Sequence, residues 1–442
     1  MKAATAIILA AERDPQMNSA KPTALHEVAG RPMIDWMLAA FEGCVETPPV
    51  IVDGSQQMIA AHVGARARTA VQQEALGEAD ALRAARSALE AAGNGLVLVI
   101  SGSYPLISAE LCEQLAEEAE NSGAAALAIL NEDETGDVGA EGPILCDLFC
   151  APGNVWRAGL MRSGKEARLA DCFLQGVESC RITPALVESL HTGVAHYFPV
   201  TNRAMLAACE AEAQELLRDK HLENGVTMLD PNSVTLGADV EIGRDTVLWP
   251  NVVLTGRTVI GEGCVIKSGC QINDTRVGNE CTLTYVVANE AELGNRVTAG
   301  PFVNLRPNTR IADGCKIGDF VEVKNSSVGE GTKLPHLSYI GDADVGSGVN
   351  VGCGCVFVNY DGYAKHRTTV GDNVFLGCQT NLVAPVTVGD GAYTAAGSTI
   401  THDVPAGAMA FARARQSNKE GYVEKFRSLK KKLGTERKRV VL

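Results

Sequence analysis

Val370-Gly371-Asp372-Asn373-Val374-Phe375-Leu376-Gly377, followed by the same aliphatic-glycine pair at Val388-Gly389, decides the fold of the C-terminal half. The pair also occurs at Leu236-Gly237, Ile242-Gly243, Ile260-Gly261, Val277-Gly278, Leu293-Gly294, Ile317-Gly318, Val328-Gly329, Val345-Gly346 and Val351-Gly352. Most intervals lie near six, twelve or eighteen residues. A hexapeptide repeat is the signature of a parallel β-helix, in which three hexads make one triangular coil and successive coils pair as parallel strands. The aliphatic member is expected to point inward, with glycine at a turn where a side chain is unwelcome. These positions read as scaffold. The polar residues that break the beat between Gly300 and Gly362 are the candidates for chemistry.

Working outward, residues 203–223 have no glycine or proline and are rich in Ala, Glu and Leu. That composition predicts a helix linking two different grammars. Upstream, apolar runs at Thr5–Ala10, Pro49–Val52 and Leu96–Ile100 alternate with helical patterns at Met33–Phe41, Glu78–Ala91 and Ser108–Asn121. This alternation predicts a doubly wound α/β domain. The expected organisation is an α/β domain over 1–202, a linker helix over 203–230, a β-helix over 231–405 and a tail over 406–442.

A net charge of −14 over 442 residues argues against general nucleic-acid binding. Lys425–Arg439 is a basic exception and reads as a solvated terminal helix or a disordered arm. The 14 cysteines form no compact even framework, and Cys353-Gly354-Cys355 has no second pair at zinc-site spacing. They read as reduced thiols of a cytoplasmic protein and as small apolar fillers of a narrow core. The apolar run Ala3–Ala11 meets Glu12, Arg13 and Asp14 at once, so it reads as a buried strand and not a signal peptide. No later stretch is long and apolar enough for membrane insertion.

The interruptions are Gly300-Pro-Phe-Val-Asn-Leu-Arg306-Pro307, Phe320-Val-Glu-Val-Lys324, His336-Leu-Ser-Tyr339-Ile-Gly-Asp342 and Asn359-Tyr360-Asp361-Gly362, then Lys365 and Arg413. In this order they resemble the bifunctional GlmU family, which joins an N-acetylglucosamine-1-phosphate uridyltransferase to a glucosamine-1-phosphate acetyltransferase. The likeness covers nearly the whole chain. It implies a nucleotidyltransferase-like domain followed by a left-handed parallel β-helix, assembled as a homotrimer. It also implies acetyl-CoA-dependent N-acetylation of glucosamine 1-phosphate, in UDP-N-acetylglucosamine biosynthesis for the cell envelope.

The residue chemistry agrees with that reaction. His336 matches the family's general base, and an imidazole titrates near neutrality, where it can take a proton from the attacking amine. Arg306, Lys324, Tyr339 and Asn350 match positions that bind the sugar phosphate, with Lys365 a further candidate. Arginine offers phosphate a bidentate contact and lysine a point charge. The resemblance implies acetyl-CoA beside Asn359 and Tyr360 and near Cys353, Cys378, Ala396 and Arg413. An Asn side chain or a backbone N–H near the thioester carbonyl would stabilise the oxyanion. Positions 378 and 353, commonly Ser and Ala in the family, are Cys here.

The N-terminal domain departs further. The family pattern L-A-A-G-x-G-T-R-M-x-S-x-x-P-K is met by Leu9-Ala-Ala-Glu12-Arg13-Asp14-Pro15-Gln16-Met17-Asn-Ser19-Ala-Lys21-Pro22-Thr23. Glu12 and Asp14 replace phosphate-cradling glycines, Pro15 has no N–H, Gln16 replaces the Arg and Thr23 the Lys. Gln72 and Gly77 match base-reading positions, but Glu78 stands for a Thr. The metal-binding Asp is Ser103, and the metal-binding Asn aligns with Thr201, beside Asn202. The expectation is a retained fold with uridyltransferase activity lost or very weak, and a role for Mg²⁺ only if that domain is active. Alternatives are the full bifunctional enzyme and a non-catalytic scaffold that senses a nucleotide sugar. A zinc enzyme of the carbonic-anhydrase type on the same β-helix would need a histidine set that His336, His366 and His402 do not form.

Overall fold

A computed structural model describes residues 2–11, 14–129, 144–188 and 197–437. The chain divides into two compact units, Met1–Arg276 and Val277–Leu442.

The first unit begins with a seven-stranded sheet in the order Arg68–Gln72, Val50–Gly54, Thr5–Leu9, Leu96–Ser101, Ile144–Pro152, Ala125–Ile129 and Ala185–Glu188. Thr5–Leu9 pairs in parallel with both Val50–Gly54 and Leu96–Ser101. Its residues are buried throughout because side chains alternate between two covered faces. Ala6 and Ile8 face one apolar layer with Met37, Phe41 and Leu115. Ile7 and Leu9 face the other, with Val99, Phe149, Trp156 and Phe173. The strand order reverses between Thr5–Leu9 and Leu96–Ser101, which leaves a crevice at their carboxyl ends.

Helices run over Met33–Phe41 and Ala109–Ser122. The stretch expected as one helix over Glu78–Ala91 is two, Glu78–Ala84 and Arg86–Ala92. Ala85 between them takes φ −89°, ψ 15°, and its N–H bonds the nearer carbonyl of Leu82. The helix Arg203–Glu223 starts on an Asn202 cap. Gln214 fastens it to the first coils, donating from Nε2 to Leu236 O (2.7 Å) and accepting Leu236 N–H (2.8 Å).

Paired strands of the coil type run from Thr227–Met228 to Met409–Ala410, a little beyond the 231–405 expected. The two compact units divide inside the repeat. A solenoid touches only its neighbouring coils, so compactness sets no boundary where the local grammar changes. In the second unit the repeat builds a ladder of Leu293, Ile311, Val328, Val345, Val370 and Val388, each stacked on the next. All are buried.

The glycines that follow are required by close approach, not by left-handed backbone. A Cβ on Gly329 would lie 2.5 Å from the carbonyl carbon of Gly346. Cys264, Cys270, Cys281, Cys315 and Cys355 are fully buried fillers, as their size predicts. Cys281 and Cys315 also donate to the carbonyls of Gly294 and Gly329 across the coil (3.1 Å each). No disulfide joins any of the cysteines, all of which are described.

Candidate active site

The strands Lys316–Lys324 and Lys333–Gly341 are the longest of the second unit, and each runs through a corner of the coil. They pair with Asp319 opposite His336, Glu322 opposite Tyr339 and Lys324 opposite Gly341. The corner residues Phe320 and Leu337 have positive φ (58° and 37°), which turns the chain while its ladder continues.

On one side of the corner a charged cluster forms. Arg306 N–H bonds Val323 O, so Arg306 stacks on the coil of Lys324. Arg306 Nη1 donates to Glu322 Oε1 (2.8 Å). Lys324 Nζ lies 3.4 Å from Asp342 Oδ2. Asp342 is the organiser: its other oxygen accepts Asn325 Nδ2 (2.6 Å), and Asn359 Nδ2 donates to Oδ2. Burial pushes this carboxyl up, but the Asn325 and Asn359 hydrogen bonds and the Lys324 ammonium hold it below its usual value. Asn359 Nδ2 also reaches the Tyr339 hydroxyl (3.4 Å). That amide nitrogen bridges Asp342 and Tyr339 and so organises the cluster.

Lys365 comes from a loop. Val345 pairs with Val370 and Val370 with Val388, so the first of these coils is the longer, and the extra chain is Asn359–His366. Asp361 ties the loop, accepting Ala364 N–H (2.7 Å) and Tyr363 N–H (2.8 Å) and pairing with His366 Nε2 (2.8 Å). These contacts hold its carboxyl well below the usual range. Tyr360 donates from its hydroxyl to Gly362 O (2.7 Å) and is itself exposed. Lys365 reaches Lys324, and the side-chain hydrogen bond with Lys324, then its charge, push the Lys365 ammonium below an ordinary lysine. Three cations thus converge where two carboxylates answer them.

Next to this cluster runs one column of the ladder. The register of Lys333 with Asn350 continues to set His336 beside Cys353. Gln379 N–H bonds Cys353 O and Gly397 N–H bonds Cys378 O, which extends the column through Cys378 and Ala396. Asp319, His336, Cys353, Cys378 and Ala396 therefore occupy successive coils. His336 Nδ1 lies 3.8 Å from Asp319 Oδ1, a charge contact longer than a hydrogen bond. Ser338 Oγ donates to His336 O (2.8 Å). Arg413 Cδ comes within 3.9 Å of where a Cβ on Gly397 would stand. The small side chains of Cys353, Cys378 and Ala396 suit a narrow extended ligand.

Asn350 does not join the cation cluster. It stacks on Phe375 and Tyr393 in the column before the corner. Two exposed apolar columns consequently flank His336. One is Tyr285, Phe302 and Phe320, with successive ring centroids 5.3 Å apart, leading to Leu337. The other is Phe375 stacked on Tyr393 (5.3 Å), then Met409. Asp342, Glu322 and Asp361 stand inside the sequence motifs without an assigned role there; their acidity close to Arg306, Lys324 and Lys365 was the available signal. Asp319 was missed altogether.

In the first unit, the crevice residues bond one another. Asp14 Oδ1 accepts Gln16 N–H (2.9 Å), and Asp14 N–H donates to Thr23 Oγ1 (3.2 Å). The carboxylate thus occupies a donor of the kind a phosphate loop presents. Glu12 and Arg13 lie outside the described residues. Gln72 Nε2 donates to Gly77 O and Asp80 Oδ2 (3.1 Å each). Glu78 Oε2 accepts Leu169 N–H (2.7 Å). Ser103 Oγ meets Ser101 Oγ (3.0 Å), Thr201 Oγ1 meets Met205 Sδ (3.1 Å), and Asn202 Oδ1 caps Met205 N–H (2.9 Å). Lys21 lies 3.8 Å from Glu27. Magnesium takes an octahedron of oxygens anchored by carboxylates, and the residues at 103, 201 and 202 do not fit it. The cavity of about 420 Å³ beside Gln72, lined also by Asp53 and Pro15, has no Lys or Arg among its described lining residues.

Two families of known proteins match. Residues 6–223 match the MobA-like NTP transferase domain, and residues 367–402 the bacterial transferase hexapeptide (six repeats). The chain is 39% identical to the bifunctional protein GlmU of Geobacillus sp. (strain WCH70), over 96% of this chain and 98% of that one. It is 38% identical to the bifunctional protein GlmU of Caldanaerobacter subterraneus subsp. tengcongensis, over 96% and 98%. The same-named protein of Staphylococcus haemolyticus is 36% identical, over 95% and 99%. On full-length likeness, with both architectures present, the chain belongs to the GlmU family of bifunctional proteins.

Proposed function

We propose that this protein transfers the acetyl group of acetyl-CoA to the amine of glucosamine 1-phosphate, making N-acetylglucosamine 1-phosphate for UDP-N-acetylglucosamine synthesis. The observation that carries this reading is the adjacency of two columns. A cation cluster of Arg306, Lys324 and Lys365 adjoins the column of His336, Cys353, Cys378 and Ala396. The cluster attracts a phosphate dianion, which relieves the repulsion between Lys324 and Lys365. Arg306 and Lys324 hold the phosphate, and Tyr339 borders the sugar. The pantetheine arm lies along the small side chains of Cys353, Cys378 and Ala396, with Arg413 and Tyr360 at its margins.

His336 accepts the amine proton as the nitrogen lone pair attacks the thioester carbonyl. The C–S bond then breaks and CoA leaves as the thiol, taking a proton. Asp319 steadies the imidazolium through its charge. With Asn359 committed to Asp342, a backbone N–H serves the oxyanion. Release of thiol from acetyl-CoA, measured across a panel of amino-sugar phosphates, tests the reading. No release with any of them would overturn it in favour of a scaffold.

The functional form is a homotrimer in the cytoplasm. Asn350 and Tyr339 stand on either side of a convex corner, so Asn350 of one copy meets the phosphate site of another more readily than its own. The exposed columns of Tyr285, Phe302 and Phe320 and of Phe375, Tyr393 and Met409 supply the apolar seams. Phe320→Glu is expected to yield monomers by light scattering and to lose thiol release, because charge is buried where rings should pack. Uridylyl transfer is lost in this reading, and the segments 1–202, 203–230, 231–405 and 406–442 remain its functional divisions.

Asp342→Ala removes the acceptor shared by Lys324, Asn325 and Asn359. Charge-assisted hydrogen bonds contribute roughly 1.5–3 kcal/mol each, so KM for the sugar phosphate should rise ~10- to 100-fold. KM for acetyl-CoA should change little. Equal changes in both constants would mean that the whole coil had collapsed.

A further inference from the structure

The helix Tyr422–Arg437 has no part in the site above. Four of its apolar residues, Tyr422, Phe426, Leu429 and Leu433, recur at intervals of four, three and four, which places them on one stripe, with the exposed Val423 to one side of it. Each is at least half exposed (54%, 51%, 50% and 58%), although each is large and apolar. At about 100° per residue, Lys425 and Lys432 fall along one margin of the stripe and Lys430 along the other. Lys430 Nζ lies 5.3 Å from the Phe426 ring, and Lys419 Nζ lies 5.6 Å from the Tyr422 ring. Arg427 and Lys431 occupy the opposite face. Glu424 is the single acid between Tyr422 and Leu433, in a chain of net charge −14.

The pattern discriminates among occupants. The spacing of the stripe would also serve a coiled-coil seam between copies. The positions flanking that seam are Lys425, Lys430 and Lys432, so parallel copies would set lysine against lysine. A nucleic acid would use the cations and leave the apolar stripe in water. A bilayer surface uses both. The rings and leucines enter the boundary between headgroups and acyl chains, while lysine stems lie along the stripe and their ammonium groups rise to lipid phosphates.

We propose that Tyr422–Arg437 is a reversible docking helix for a bilayer surface carrying anionic phospholipids. It lies on the surface and does not cross: no described helix is long and apolar enough to span a membrane. Residues 412–421 are exposed and contain no helix or strand. Extended, they reach roughly 30 Å, beyond the ~10 Å over which salt screens charge. The acidic remainder therefore need not approach the anionic surface. A helix this short is marginal alone in water, and burial of its stripe supplies the missing order.

The test is co-sedimentation of the full-length protein with vesicles of phosphatidylcholine alone or of phosphatidylcholine with phosphatidylglycerol. The expected result is at least tenfold more protein on the anionic vesicles at low salt, with release at high salt. Phe426→Glu/Leu429→Glu and Lys425→Glu/Lys430→Glu should each abolish binding while thiol release from acetyl-CoA stays at the wild-type rate. Thiol release reports the acetyltransferase reading separately, and circular dichroism reports folding if that reading fails. Equal binding to both vesicles, or none to either, overturns the proposal. So does binding retained by the Phe426/Leu429 variant, which would mark a polyanion patch alone. Loss of an oligomer in that variant, without any lipid effect, would assign the stripe to a second copy.

Discussion

His336→Ala is expected to lower kcat for thiol release by ~10²–10⁴, the usual contribution of a positioned general base. KM for both substrates should stay near the wild-type value. The reason is positional. His336 stands on the column of Cys353, Cys378 and Ala396, while the cations proposed to bind phosphate stand further along the strands, beyond the corner, held by Asp342 and Glu322. Removing the imidazole deletes the proton acceptor and leaves both binding surfaces intact. His336→Gln serves as the control, because it keeps polarity and approximate size without a comparable base. Equal rates in wild type and both variants would remove His336 from the mechanism. Asp319→Asn should act in the same direction with a smaller loss in kcat and no change in KM, as befits a positioning residue 3.8 Å from the ring.

The second large effect is an absence of reaction. UTP, N-acetylglucosamine 1-phosphate and Mg²⁺ should release no pyrophosphate above background. A triphosphate needs open backbone donors and fixed cations, and its transfer needs metal-bound oxygens. In this crevice Asp14 takes the Gln16 N–H and bonds Thr23, while Ser103, Thr201 and Asn202 are engaged with Ser101, Met205 and a helix start. Gln72, which resembles a base-reading residue, is held by Gly77 and Asp80. Pyrophosphate release at a rate comparable with thiol release would restore the bifunctional reading. Isothermal titration with UTP separates the two steps: the engaged donors predict no heat of binding as well as no turnover.

Much of the architecture was legible in the chain. The aliphatic-glycine pairs marked the coils, and the Ala-, Glu- and Leu-rich run matched the helix Arg203–Glu223. The alternation of runs in the first 200 residues marked a sheet with both faces covered. The glycines were legible as necessary, but for a different reason: Gly329 faces the Gly346 carbonyl in the next coil, a contact no local pattern displays. The break at Ala85 also escaped, since alanine favours either side of it equally. In the site, the cations were legible by type. Their answering carboxylates, Glu322 and Asp342, sat within quoted motifs but acquired meaning only from their partners.

The sequence by itself determined which residues face inward and which outward. That depends on a short period, six residues in a coil and two in a strand, which is written locally. Tertiary structure alone decided which outward residues meet. Neighbours across the coils are many positions apart, Asp319 with His336 and Val345 with Val370, and the longer coil carrying Asn359–His366 shifts the count. Contact between coils follows from hydrogen-bonded register, and register is set by every turn and insertion together. A column of Asp319, His336, Cys353, Cys378 and Ala396 beside three converging cations is therefore a property of the stacked solenoid, not of any one hexad.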